Sequence, residues 1–303
     1  MGAEREVQDF YSLLRYPGPD ALITYSWARR IKKFLDGDDF VFIDAGCGSG
    51  RHSAGILDTY LRARGYCLDF SKPSLEEASA LFAKKGFSSR ATLVNASYLE
   101  KIQIPEKVDV ALAIGTIHHC PDPLQALKNI AEVVKEGGIV ACMVYGIRNH
   151  RRRYEIKELV HLLGQGDNVL GLYGSYQDKY EGILDKSLRE IASDARNRVG
   201  HCVRRMLRRK SHGYLIKNTE DVFRNDAIAV PIDTAFDTQG VRALIEGAGL
   251  QVEAMLGLGR FDEGLLPPDW ISGWRRLPYW EQVRVMELVD PLPKSWSFIC
   301  RKP

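Results

Sequence analysis

The sequence predicts an α/β fold: a doubly wound, mostly parallel, seven-stranded sheet carrying a helical cap insertion. Three observations predict it. Short β-rich runs alternate with helical patterns through the first 145 residues, a glycine-rich turn directly follows the first of these runs, and the alternation stops for about 90 residues before resuming near the C-terminus. At 303 residues the chain is long enough for one sheet domain with a substantial appendage.

The elements follow in order. Residues 40–44 read as a buried strand, 53–64 as a helix and 65–69 as a second strand. A helix opens at Ser71-Lys72-Pro73, where Ser71 suits the N-cap and a proline is tolerated because its missing amide would have no intrahelical partner. Strands follow at 91–95, 108–114 and 138–145, with a helix at 124–135 that the pair Gly137-Gly138 is expected to stop. From residue 146 to about 235 the chain is helix-leaning, basic and irregular, and too long to be a structureless loop. The rhythm returns with a helix at 238–247 and strands at 250–258 and 295–300.

Composition removes several classes. Apolar residues at 45% and charged residues at 27% are ordinary for a globular chain and argue against extended disorder. No run of about 18 apolar residues offers a membrane span, and the acidic start MGAEREVQDF does not read as a secretory leader. Six scattered cysteines (Cys47, Cys67, Cys120, Cys142, Cys202, Cys300) without CxxC spacing fit reduced thiols in a cytoplasmic protein, with no metal site expected. The net charge of +3 hides a strong asymmetry. Residues 1–145 hold 17 Lys/Arg against 18 Asp/Glu, residues 146–217 hold 16 against 8, and residues 218–303 hold 9 against 13.

The chemistry concentrates in Asp44-Ala45-Gly46-Cys47-Gly48-Ser49-Gly50-Arg51. Glycines let the backbone approach a ligand closely, and the helix that follows offers N-terminal amides to an anion. Position 51 is arginine, so the dinucleotide pattern G-x-G-x-x-G fails. Asp69 ends the next strand, where a carboxylate is placed to accept both hydroxyls of a ribose. Taken singly, Asp44 and Asp69 also suit strand-end caps, and Phe70 suits the core.

These residues resemble the class I S-adenosylmethionine-dependent methyltransferases. FIDAGCGSG is similar to their first motif, GYCLDFSKPSLEEA to their ribose-binding segment, and VDVALAIGTIHHCPDPLQALKNIAEVVKEGG to their fourth strand with its turn and helix. The resemblance implies a Rossmann-like core at 40–145 binding S-adenosyl-L-methionine, with residues 1–39 covering the cofactor, 146–235 capping the acceptor, and 236–303 completing the sheet. It implies that Gly46 and Gly48 pass under the methionine end of the cofactor. Asp44 orders that loop or reaches the ammonium through water, Asp69 holds the ribose, and Phe70 packs on the adenine. Asn95 and Ala96 stand where the family has an acid and a small residue reading the adenine edge. Asn95 replaces the acid, with its amide oxygen still able to accept. The backbone at Ile114-Gly115 faces the methionine moiety.

Methyl transfer is a direct displacement that mainly needs the acceptor held in line, with a base where the acceptor must lose a proton. His118 and His119 follow the fourth strand and suit a base or a pocket wall, and Tyr145 suits pocket or packing. Tyr11, in the segment FYSLLRYP, either contacts the cofactor carboxylate or the acceptor, or anchors the terminus. Basic residues cluster at Arg148, Arg151, Arg152 and Arg153, and again from Arg196 to Lys217. They read as a lid over an anionic small acceptor, as a nucleic-acid groove, or as a solvated helix face. The expected enzyme methylates a small molecule; the alternatives are an RNA methyltransferase and a non-catalytic cofactor-binding domain. No membrane partner is expected, and homo-oligomerisation is left open. The aromatic stretch at 267–280 suits core packing, a pocket rim or a subunit interface.

Overall fold

Strand β1 (Val41–Ala45) is buried along its whole length, because it lies at the centre of the sheet with a hydrophobic layer on each face. Successive side chains serve different layers. Val41, Ile43 and Ala45 join one core with Ala111, Ala113, Val140 and Cys142, while Phe42 joins the other with Val110, Leu112 and Ile139. The computed structural model describes residues 2–14, 22–148, 154, 158, 230–256, 263–289 and 295–303. Residues 1–151 together with 230–303 form one compact unit, and residues 152–229 form another. No helix among the described residues is long and apolar enough to cross a membrane.

The first unit runs α1 (Gly2–Leu14), α2 (Ser26–Ile31), β1, α3 (Arg51–Thr59), β2 (Arg64–Asp69), α4 (Lys72–Lys85), β3 (Ala91–Asn95), β4 (Val108–Ile114), α5 (Pro123–Glu132) and β5 (Val134–Gly146). It resumes with β6 (Ala235–Phe236), α6 (Thr238–Gly247), β7 (Gln251–Met255), α7 (Pro268–Trp274), α8 (Tyr279–Val289) and β8 (Ser295–Arg301). The sheet order is β3-β2-β1-β4-β5-β8-β7, with β6 on the end of β5. Strands β1 to β5 pair in parallel, and β8 runs antiparallel to both β5 and β7. The fold is therefore the mixed, mostly parallel α/β architecture expected, with the two-residue β6 added to its seven strands. Trp27, Ile56, Leu75 and Phe82 from α2, α3 and α4 fill one face; Leu127, Val241, Ile245 and Val283 from α5, α6 and α8 fill the other.

Local chemistry explains several boundaries. Ser71 caps α4 by accepting from the amide of Ser74, with Pro73 in the first turn. Asp122 caps α5 and Asp237 caps α6 in the same manner. Gly65 is required opposite Phe42, since a β-carbon there would lie 2.3 Å from the ring. Helix α3 begins at Arg51 and ends at Thr59, so the expected span of 53–64 starts late and runs on past the helix end. Tyr60 is extended, and Arg64 already belongs to β2. The glycine stop expected for the helix at 124–135 is also corrected. Helix α5 ends at Glu132, and Gly137-Gly138 lie inside β5, because buried Val134 pairs with Val108 and draws the chain straight into the sheet. There Gly137 adopts φ +74° and its amide donates to the carbonyl of Lys302 at 2.9 Å.

The first unit closes on a buried carboxylate. Glu287 on α8 is 1% exposed, and its Oε2 accepts from the amide of Thr238 at 3.2 Å and the hydroxyl at 2.6 Å. The same oxygen pairs with Arg284, and the backbone carbonyl of Glu287 accepts from the Arg148 guanidinium. In the aromatic stretch, Trp274 packs against Leu266 and Met286 as core, whereas Trp270 is 62% exposed.

Candidate active site

Parallel pairing brings the C-terminal ends of β1 to β5 to one edge, and with them Asp44, Asp69, Asn95, Ile114 and Tyr145. The chain steps outward from β1 through β2 to β3 and then returns to β4 on the other side of β1. That reversal opens a crevice above the strand ends, the usual ligand site in such sheets.

The glycine turn is built into this crevice by its backbone. The amides of Gly46 and Cys47 both donate to the carbonyl of Leu68, at 2.8 and 2.9 Å. Gly46, Gly48 and Gly50 all have positive φ, and a β-carbon at Gly46 would lie 2.1 Å from Oγ1 of Thr116. Asp69 ties the turn down: Oδ2 accepts from the Gly48 amide and Oδ1 from the Ser71 amide, each at 2.8 Å. Asp44 accepts from Ser53 Oγ on α3 at 2.6 Å, so it orders the loop from below. Burial pushes both carboxyls up to about 6 against their hydrogen bonds, and the proximity of Asp69 adds to the effect at Asp44.

Beside the turn, α1 lies over a cleft of about 650 Å³ lined by Gln8, Phe70, Asn95, Ala96 and Ser97 among others. Two contacts hold the helix there. Gln8 Nε2 donates to the carbonyl of Phe70 at 2.9 Å, and Ser97 Oγ donates to Glu4. Asn95 Nδ2 donates to the carbonyls of Asp69 and Phe70 at 3.0 and 3.1 Å, so the group it has left for a ligand is its amide oxygen. The Ala96 amide donates to the Asp69 carbonyl at 3.2 Å.

On the other side of Gly46, the turn after β4 gathers the aromatic candidates. Gly115 has φ +73° and its amide donates to the carbonyl of Met143. The His118 ring lies 4.1 Å from that of His119 and 4.0 Å from that of Tyr145, and Tyr11 on α1 meets His119 edge-on at 5.9 Å. Both histidines are buried. His119 Nδ1 lies 3.1 Å from the carbonyl oxygen of Ile232.

The structure thus brings His118, His119, Tyr145 and Tyr11 into one cluster, and Asp44, Gly46, Gly48, Asp69, Phe70, Asn95, Ala96, Ile114 and Gly115 along the adjoining strand edge. Sequence reasoning missed Gln8, Thr116 and Ile232. Thr116 had a signal, since it directly follows the strand-end Gly115; Gln8 and Ile232 act across long sequence separations and had none. Arg148 is described; Arg151 to Arg153 and the basic run from Arg196 to Lys217 lie outside the described residues. Among the described residues, no group of three or more His, Cys, Asp or Glu is placed to hold a metal ion.

Residues 43–142 match a family described as a methyltransferase domain. Residues 43–142 therefore form a methyltransferase domain, consistent with the class I S-adenosylmethionine-dependent methyltransferases. The chain is 27% identical over 266 residues to the uncharacterized protein syc1184_c of a Synechococcus strain, covering 84% of this chain and 58% of that protein. It is 26% identical over 165 residues to a ubiquinone biosynthesis O-methyltransferase of Parvibaculum lavamentivorans, covering 54% of this chain and 62% of the relative. The chain therefore spans about three fifths of the length of these relatives. The structure of PKMT2 from Rickettsia typhi in complex with AdoHcy shares the fold, with a TM-score of 0.61, 14% identity, and coverage of 92% of this chain and 53% of that one.

The family's cofactor is S-adenosylmethionine, and the residues present fit it. The close approach of Gly46 to Thr116 leaves no room for a side chain at the turn, and the buried Ser49 hydroxyl within that turn has no protein partner among the described residues. Asp69, buried at its strand end, presents acceptor oxygens suited to a ribose diol.

Proposed function

We propose that this methyltransferase moves a methyl group from S-adenosylmethionine to a hydroxyl of a small-molecule acceptor, with His119 as the base. One observation carries the reading: two buried histidines and two tyrosines converge at the strand edge beside the glycine turn. The likeness to a ubiquinone biosynthesis O-methyltransferase supports an oxygen acceptor.

When bound, the cofactor supplies a methyl group on a positively charged sulfur that leaves as a neutral thioether. The protein's task is alignment and proton removal. Asp69 and Asn95 fix the nucleoside end, and Gly46 and Gly48 let the backbone approach the amino-acid end. His119 takes the hydroxyl proton on Nε2 as the acceptor oxygen becomes the nucleophile. His118 and Tyr145 wall the pocket and hold the imidazole against the β4 turn.

The test has two steps. Calorimetry should show S-adenosylhomocysteine binding to the wild type and a large loss of affinity in Asp69→Ala. A panel of small phenols and catechols should then yield a methylated product, reduced at least about 100-fold in His119→Asn, the scale of a lost general base. Binding without any methylated phenol would overturn the small-molecule reading. Methylated RNA in its place would move the acceptor to nucleic acid, and turnover of neither would leave a binding domain.

A further inference from the structure

We infer that the backbone carbonyl of Ile232 selects the tautomer of His119, which makes the segment returning to the sheet at residue 230 a positioning part of the acceptor site. The inference rests on the base role given to His119 above and adds what prepares it.

A carbonyl oxygen only accepts, so the 3.1 Å contact between Ile232 O and His119 Nδ1 requires the proton on Nδ1. In the neutral ring the basic lone pair then belongs to Nε2. Without such a partner the two tautomers of an imidazole interconvert, and only one has its lone pair on the nitrogen that meets the acceptor. A carboxylate performs this orientation in other catalytic pairs; here a neutral carbonyl does it without adding a negative charge beside the ring.

The carbonyl is held independently of the histidine ring. Two residues on, the amide of Thr234 donates to the carbonyl of His118 at 2.9 Å. Ala235 then pairs with Tyr145 as β6, and Trp296 Nε1 donates to the carbonyl of Phe236 at 2.7 Å. The histidine is held from its own side, since its amide donates to the carbonyl of Thr116 at 2.9 Å and the Tyr145 ring stands nearly perpendicular to it at 5.4 Å. Donor and acceptor are each anchored to the sheet, so the bond is a fixed feature of the fold.

The experiment is side-chain nitrogen NMR on the full-length protein labelled at its 7 histidines, with His119 assigned from the His119→Asn variant. The wild type should show the neutral ring of His119 protonated at Nδ1, with and without S-adenosylhomocysteine. Ile232→Gly, which keeps the carbonyl but loosens its backbone, should admit the Nε2-protonated form. It should also lower kcat about tenfold on the phenol methylated fastest in the panel above, with S-adenosylhomocysteine affinity within about twofold of wild type, as expected when only the base's orientation is lost. A wild-type ring protonated at Nε2 would overturn the inference. So would an Ile232→Gly variant with a mixed ring and undiminished kcat. A ring protonated at Nδ1 together with a fully active His119→Asn enzyme would instead sink the base role and leave the hydrogen bond standing, so the two failures are distinguishable.

Discussion

Gly46 and Thr116 sit in contact across the crevice, and a β-carbon on the glycine would lie 2.1 Å from the threonine hydroxyl oxygen. Gly46→Ala adds this clash to a backbone at φ +76°. A left-handed non-glycine residue alone costs about 1–2 kcal/mol. The added methyl group meets Thr116, which belongs to neither hydrophobic core, so the variant should stay folded by circular dichroism yet lose S-adenosylhomocysteine affinity by more than about tenfold. Unchanged affinity in calorimetry would show that the turn does not touch the ligand.

Asp44 and Asp69 make binding depend on pH. Both carboxyls titrate near 6 in the folded protein, above the ordinary value of 3.8, because burial disfavours their charged forms. The folded state therefore holds more protons than the unfolded state between about pH 4 and 6. The contribution of these groups to stability is full below the unfolded value and is lost as pH rises through 6. A ligand that donates hydroxyls to Asp69 and brings an ammonium group favours the ionised pair. Affinity for S-adenosylhomocysteine should thus be flat above pH 7 and weaken toward pH 5, with proton release on binding near pH 6. Calorimetry in buffers of different ionisation enthalpy measures both, and pH-independent binding would contradict the assignment of Asp69.

Asn95 stands where the family resemblance leads one to expect an acid, and its contacts explain the amide. Its Nδ2 donates to two carbonyls, those of Asp69 and Phe70, which an aspartate facing the same pair could not do. Asn95→Asp should therefore weaken rather than improve cofactor binding. The cost to stability should be about 1 kcal/mol, the net worth of hydrogen bonds lost at an exposed residue, because the two carbonyls keep the Ala96 amide and Gln8 as donors. Denaturant unfolding and calorimetry on the same sample would separate the two effects, and a tighter-binding variant would refute the account.

Arg90 offers a control far from the chemistry. Its guanidinium donates to the carbonyls of Leu57, Tyr60 and Ala63, closing the end of α3 and the turn into β2. Arg90→Ala should cost about 1.5–3 kcal/mol in urea unfolding, and Arg90→Lys should recover only part of it, because an ammonium lacks the planar fork. Cofactor affinity measured well below the unfolding transition should not change.

The residues that were legible in the sequence are those whose roles are local. Ser71 as a cap, the turn from Gly46 to Gly50, and Asp69 at a strand end are all written in neighbouring letters. The helix at 238–247 was readable for the same reason, since Asp237 caps it and Val241, Leu244 and Ile245 repeat on one face. Gly137-Gly138 misled because a glycine pair serves equally well to stop a helix or to bend a strand, and only the pairing of Val134 with Val108 decides between them. Strand β6 was invisible, since two residues carry no period. Gln8 on the Phe70 carbonyl and Ile232 on His119 were unreadable for a different reason: each is a contact to or from a backbone carbonyl, 62 and 113 positions away, which no side-chain pattern encodes.

The Glu287 node has a consequence for how the chain tolerates change. Arg148, just after β5, and Thr238, at the start of α6, are fastened to the same residue of α8. The chain is thus stapled to α8 on either side of residues 152–229. Residues 152–229 therefore enter and leave the chain between two secured points of the first unit. Insertions, deletions or wholesale exchange there would leave the strand-end residues in register. The two fastenings thus define splice points, for an engineer and for evolution alike.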